Sequence, residues 1–331
     1  MVAHELRLIL PCEHVLWSAA SASEVLSLES ALRSGNGKRI TFAEALQRTL
    51  SGRQVRASSF GRSVIICGLL SLAWHMNQRD LQMRSLKVGT EMQERTIKWR
   101  QFITKAFERW NQGALRTQDT PKKRAQGDEV LASSKVLYHL AQISTNVEMV
   151  DCQIFAGLTR VLGRTIGRRH REEVQNRIRK VWAPSHEARV AVFFAVQFLC
   201  STFQHESCQV EVHDIAPSIQ NMHGASISPM YQWTMYTAGL VVWCYSYAVD
   251  GPAHIVFTST QQEDQTRHME NFLERVKNIQ SPEEVTFYRL NGCAGLLRVL
   301  TDIFTESKWH LLHEGAALLE GCVSLLNAKP I

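Results

Sequence analysis

MYQWTMYTAGLVVWCYSYAVDGP, residues 230–252, decides the fold. It runs without a formal charge as far as Asp250 and carries Trp233, Trp243, Tyr231, Tyr236, Tyr245 and Tyr247. An uncharged apolar run of about 20 residues must be buried in lipid or in protein. Gln232, Thr234, Thr237, Ser246 and the tyrosine hydroxyls make it too polar for lipid, and no Lys/Arg cluster flanks it to set an orientation. The pattern therefore predicts a helix over about 230–249, buried on nearly all sides at the centre of a helical protein. Asp250-Gly251-Pro252 ends it, because glycine accepts the left-handed turn beyond a helix and proline cannot continue one.

The segments around this run read as further helices. Ser21-Ala22-Ser23-Glu24 and Thr41-Phe42-Ala43-Glu44 have capping-box spacing, each opening onto apolar residues. Residues 61–81 form an apolar helix. In 91–112, Trp99, Ile103, Ala106 and Trp110 recur at spacings of three and four, and Gly113 is the expected stop. Residues 113–128, GALRTQDTPKKRAQGD, lack apolar periodicity and predict a flexible basic surface loop at about 114–127. Helices are expected at 129–147, at 151–163 between a capping Asp151 and a terminating Gly163, at 172–181 and at 187–203. Val210-Glu211-Val212 and Ile255-Val256-Phe257 read as short extended pieces. Helices follow at 261–279, from Ser281-Pro282, at 292–304 and at 307–326. No internal repeat has a fixed period. The expected fold is all-α, a multi-helix array of packed antiparallel helices forming a single domain over 1–331.

With 331 residues, 45% of them apolar and 21% charged, the chain can build a large core. A net charge of +6 and an isoelectric point near 8.9 tolerate a polyanion without demanding one. Eight cysteines lie far apart, mostly in apolar segments, as free thiols in a reducing compartment do.

Catalytic and metal-binding patterns are weak. Cys200, His205, Cys208 and His213 have the residue types of a zinc site but no C-x-x-C pair, so ordinary structural roles are expected. His310, His313 and Glu314 lack the spacing of a zincin helix. No G-x-S-x-G, P-loop or dinucleotide fingerprint occurs. An enzymatic alternative would rest on Asp151 with His139, or on the Cys200–His213 set. A nucleic-acid alternative would rest on residues 164–180, where Arg164, Arg168, Arg169, Arg171, Arg177, Arg179 and Lys180 could meet phosphates. With no aromatic platform or base-reading motif there, a solvated basic face is the simpler reading. Lys122, Lys123 and Arg124 have the composition of a nuclear-import signal.

Four stretches together resemble the regulatory, or middle homology, region of fungal-specific transcription factors of the zinc-finger and binuclear zinc-cluster type. They are Leu10-Pro11-Cys12-Glu13 with Leu16-Trp17-Ser18-Ala19, and Leu137-Tyr138-His139-Leu140-Ala141 followed by Asp151-Cys152-Gln153-Ile154-Phe155-Ala156-Gly157 and Leu162-Gly163-Arg164. The others are the apolar run 236–245 closed by Asp250-Gly251-Pro252, and Trp309-His310-Leu311-Leu312-His313-Glu314-Gly315-Ala316. The resemblance implies a non-catalytic regulator of RNA polymerase II transcription. It implies a nuclear site with shuttling to the cytoplasm, transcription machinery or co-regulators as partners, room for a homodimer, and no membrane. It implies no cofactor in this chain. Zinc and direct DNA contact are expected only in an upstream DNA-binding module that the resemblance does not find here.

Overall fold

The computed structural model describes residues 8–34, 40–85, 91–118, 129–161, 163–203, 228–253 and 261–328. These form two compact units, 1–141 and 142–331. The described residues are all-α apart from one two-residue hairpin and one isolated bridge, as expected.

The first unit contains α1 (His14–Trp17), α2 (Ala22–Ser34), α3 (Phe42–Leu50), α4 (Ser59–Ser85), α5 (Glu91–Gln118) and most of α6 (Glu129–Thr145). Both capping-box residues do that work: Ser21 Oγ accepts the Glu24 N–H and Thr41 Oγ1 accepts the Glu44 N–H, each at 3.2 Å. In α4, Arg62, Ile65, Ile66, Leu69, Ala73 and Asp80 are buried, a helical stripe facing α3 and α5. Trp110 Nε1 donates to the Arg62 carbonyl at 3.0 Å and Trp99 Nε1 to the Asp80 carboxylate at 2.5 Å, so α4 and α5 run antiparallel. Among the described residues, the segment Ser59–Met83 alone is long and apolar enough to cross a membrane by length and composition. Within this unit its apolar stripe lies against protein. The α5 helix continues through Gly113 to Gln118, which corrects the expected stop and the start of the loop. One helical glycine costs about 1 kcal/mol and does not by itself end a helix. Residues 119–128, the rest of that loop, lie outside the described residues.

The second unit contains α7 (Met149–Phe155), β1 (Arg160–Val161), β2 (Arg164–Thr165) and α8 (Arg168–Arg177), with a π turn at Ile178–Trp182. It continues with α9 (His186–Phe203), α10 (Pro229–Val249), α11 (Gln262–Val276), a 3₁₀ turn at Pro282–Phe287, α12 (Ala294–Thr305) and α13 (His310–Leu326). The decisive run is α10, a helix from Pro229 to Val249 with Gln232 and every residue from Thr234 to Ser246 buried. Helices α7, α9, α12 and α13 pack around it. Trp243 is fully buried, stacks on Tyr247 at 5.2 Å, and donates through Nε1 to the Cys322 carbonyl at 3.2 Å. Two glycines permit close approach. A Cβ on Gly239 would lie 2.5 Å from Leu300, and one on Gly315 would lie 3.0 Å from the Tyr236 ring.

Four of the polar residues that argued against lipid find partners inside the protein. Thr234 and Thr237 donate to the carbonyls of Met230 and Trp233 one turn back, Ser246 donates to that of Trp243, and Gln232 accepts from Ser307. Gly251 has φ +71°, the expected left-handed residue after the helix. Cys152, Cys244, Cys293 and Cys322 are buried free thiols, as expected, while Cys12 and Cys67 are exposed.

Other boundaries also differ from the sequence reading. Asp151 lies inside α7 and does not cap it; the cap position is Glu148. That helix ends at Phe155, and Gly163 (φ +78°) sits in the turn of the β1–β2 hairpin. Two residues in extended pairing are too few to show a period-two pattern. The basic helix starts earlier than expected, at Arg168, and changes to a π turn at Ile178. The helix started by Ser281-Pro282 is a 3₁₀ turn. The extended pieces expected at 210–212 and 255–257 lie outside the described residues.

Candidate functional site

The candidates named from sequence fall in different places. Lys122, Lys123 and Arg124 lie outside the described residues, as do His205, Cys208 and His213. Cys200, at the end of α9, donates through sulfur to the Leu273 carbonyl at 3.8 Å, and burial pushes its thiol up to about 12. A thiol held protonated in this way is a poor nucleophile and a poor ligand. His313 contacts the Ser307 carbonyl at 2.7 Å. Among the described residues no group of three or more His, Cys, Asp or Glu side chains could hold a metal ion.

Asp151 is engaged in structure. Both its oxygens accept from Arg177, at 2.5 and 2.7 Å, a bidentate pair that joins α7 to α8. This hydrogen bond raises the Arg177 pKa above the usual guanidinium value. Arg164 is exposed on β2, and Arg168 and Arg169 are 93% exposed on α8. Arg168 pairs with Glu172 at 2.9 Å and Arg169 with Glu173 at 3.1 Å. Arg171 lies on the same helix, half-buried. The basic run is thus partly neutralised by its own carboxylates, so its positive charge is less concentrated than the sequence suggested.

Sequence reasoning missed the cleft at the carboxyl end of α10. It is an open depression of about 580 Å³, lined by Arg179, Arg189, Arg289, Tyr245, Tyr288 and Asp250 among others. The π turn supplies Arg179, whose guanidinium stands 5.6 Å from the Phe155 ring and 5.9 Å from Tyr247. The first turns of α9 supply Arg189, which donates to the Pro184 carbonyl at 3.1 Å. Arg289 and the exposed Phe287 follow from the 3₁₀ turn.

The Asp-Gly-Pro turn borders the cleft through Asp250, and three hydrogen bonds tie down the turn and the residue after it. An Asp250 oxygen accepts the Leu290 N–H at 3.1 Å, the Pro252 carbonyl accepts from Asn291 at 3.1 Å, and the Ala253 N–H donates to the Leu326 carbonyl at 2.8 Å. Burial pushes the Tyr245 hydroxyl up, with Arg189 opposing and Asp250 adding to the shift. Three arginines and one aspartate share the lining with tyrosine and aliphatic residues. Such a surface can hold an anion with an apolar body. The only signal available in the sequence was Tyr245 beside the Asp-Gly-Pro turn, because Arg289 is far along the chain from Arg179 and Arg189.

Comparison with known proteins gives a partial family match and a distant relative. Residues 1–112 match the family described as fungal specific transcription factor domain. The chain is also similar to the nicotinate catabolism cluster-specific transcription factor of Emericella nidulans, 24% identical over 259 residues. That similarity covers 74% of this chain and 27% of the relative, so the chain spans about a quarter of the length of the protein it matches. No solved structure matches it. These findings agree with the resemblance read from the motifs: the similarity of this chain is to fungal transcription factors, in residues 1–112 for the domain and over most of its length for the relative.

Proposed function

We propose that this chain is the regulatory and effector part of a fungal RNA polymerase II transcription factor. The observation that carries the reading is the transcription-factor domain over residues 1–112, joined to a similarity that runs on into the second unit. In this reading the chain is non-catalytic. It works in the nucleus through the transcription machinery or co-regulators, and it reaches DNA through a separate zinc-bearing module. The test is to fuse the full chain to a heterologous DNA-binding module ahead of a reporter. Expression should rise or fall against the module alone; identical expression from both overturns the proposal.

Import is assigned to Lys122, Lys123 and Arg124. A fluorescently tagged chain should accumulate in the nucleus, and replacing all three by Ala should leave it cytoplasmic. Nuclear accumulation of the triple variant would refute that assignment. The exposure of Arg164, Arg168 and Arg169 favours a secondary reading, phosphate contact together with Arg171. Glu172 and Glu173 compete for the same donors. Titration with duplex DNA should then show weak binding with a shallow salt dependence, lost on changing the four arginines to Gln. Binding that does not respond to salt, or survives the four changes, rules this contact out.

A further inference from the structure

The cleft beside the Asp-Gly-Pro turn has no part in the import or catalytic readings and shares only Arg179 with the basic run 164–180. Its volume of about 580 Å³ falls within the usual range for small-molecule sites, roughly 300–1,000 Å³. Its chemistry is divided. Arg179, Arg189 and Arg289 supply planar cationic forks, the geometry that pairs bidentately with a carboxylate. Tyr245, Tyr288 and Phe287, with Ala248 and Val249, supply flat and aliphatic surface. The single carboxylate, Asp250, already accepts from the Leu290 backbone, so it offsets the three cations only in part. The lining comes from three segments distant in sequence: the π turn and the start of α9, the end of α10, and the 3₁₀ turn with the residues that follow it. A ligand seated there would bridge all three.

We propose that this cleft binds a small organic carboxylate with a flat apolar body, and that its occupancy is what the regulatory chain senses. The carboxylate pairs with the arginine forks, and the body lies against Tyr245 and Tyr288. Bridging the three segments holds the end of α10 in one arrangement, which gives the ligand a differential affinity between two states of the chain, the requirement for any such switch. The sensing half of the proposal rests on the regulatory reading above; the binding half does not.

The test is calorimetric titration of the full chain with 2-naphthoate, 2-naphthamide and inorganic phosphate, together with the reporter fusion grown with and without 2-naphthoate. Naphthoate should bind saturably at one site, and the uncharged amide and the phosphate about tenfold more weakly or worse. Arg189→Gln with Arg289→Gln should weaken naphthoate about tenfold or more. Arg267→Gln removes one positive charge from the exposed face of α11, as Arg289→Gln alone does from the cleft, and should leave naphthoate binding unchanged. Arg289 is exposed, so Arg289→Gln alone keeps the fold and serves as the check if the double variant is unstable. No saturable binding, equal binding by the arginine variants, or phosphate binding as tightly as naphthoate each overturns the site. Naphthoate binding with a reporter that differs from the module alone but ignores the ligand overturns the sensing. Naphthoate binding with a fusion indistinguishable from the module alone overturns the regulatory reading and leaves the site standing.

Discussion

Helices α4 and α10 look alike in composition and are used differently. Both are long, apolar and rich in small residues. The one that passes a length-and-composition test for crossing a membrane is α4, with Arg62, Arg79 and Asp80 along it. The uncharged one, α10, is interrupted by hydroxyls and an amide. Yet α10 is buried almost all round, whereas α4 buries one stripe and leaves Phe60 and Trp74 each 59% exposed. A test on the most apolar window therefore ranks them in the wrong order for burial. What separates them is where their polar groups find partners. In α10 the threonines and Ser246 donate to carbonyls of their own helix, so they need no water. In α4 the charged groups need partners outside the helix, and Asp80 finds one in the Trp99 indole.

The largest test of this contrast is Trp243→Ala. Trp243 is fully buried and hydrogen-bonded to α13, so the change should cost about 3–5 kcal/mol, read by chemical denaturation. A loss under about 1 kcal/mol would mean that α10 is not the centre of its unit. Next come the glycine contacts, one on each helix. A Cβ on Gly239 would approach Leu300 to 2.5 Å, and one on Gly68 would approach the Phe42 ring to 2.6 Å. Gly239→Val and Gly68→Val should each cost about 1–3 kcal/mol through overpacking. The Gly68 change has more room to relax, because one side of α4 is open, so it should be the milder of the two. The reverse order would break the comparison.

How far the sequence spoke depended on the range of the physics involved. Local signals were legible: the Ser21 and Thr41 caps and the Gly251 that follows α10 all read correctly, because each depends on a few neighbouring residues. Signals that depend on a distant partner were not. Asp151 was read as a cap because its type suits one, but its partner is Arg177, which periodicity does not link to it. Gly113 was read as a stop, and α5 runs on past it. The charge of 164–180 was legible, but its pairing with Glu172 and Glu173 emerges only once the register of α8 is known. The three-arginine cleft was invisible for the same reason.

Smaller effects sharpen the account of polar satisfaction. Asp80→Ala removes the acceptor of the buried Trp99 N–H and should cost about 1–3 kcal/mol. Thr234→Val with Thr237→Val removes hydroxyls that are buried but bonded only to their own helix. Each replacement is close to isosteric, and a helical carbonyl loses only a second bond, so the pair should cost less than about 1.5 kcal/mol. A larger loss would mean that these hydroxyls do more in α10 than satisfy themselves.

The smallest expected effect is Trp74→Ala on α4. Trp74 is 59% exposed, and its ring meets His75 edge-on at 4.9 Å. Surface substitutions of this kind change stability by less than about 0.5 kcal/mol. The measurement discriminates because tryptophan is a large side chain: buried, its truncation would cost about 3–5 kcal/mol, as expected for Trp243. A near-zero result places this face of α4 in water and supports the contrast with α10. A loss of several kcal/mol would mean that the face is covered in solution. Then α4 would be a second all-round buried helix, and its apolar window, not its charge pattern, would be the better guide to how it is used.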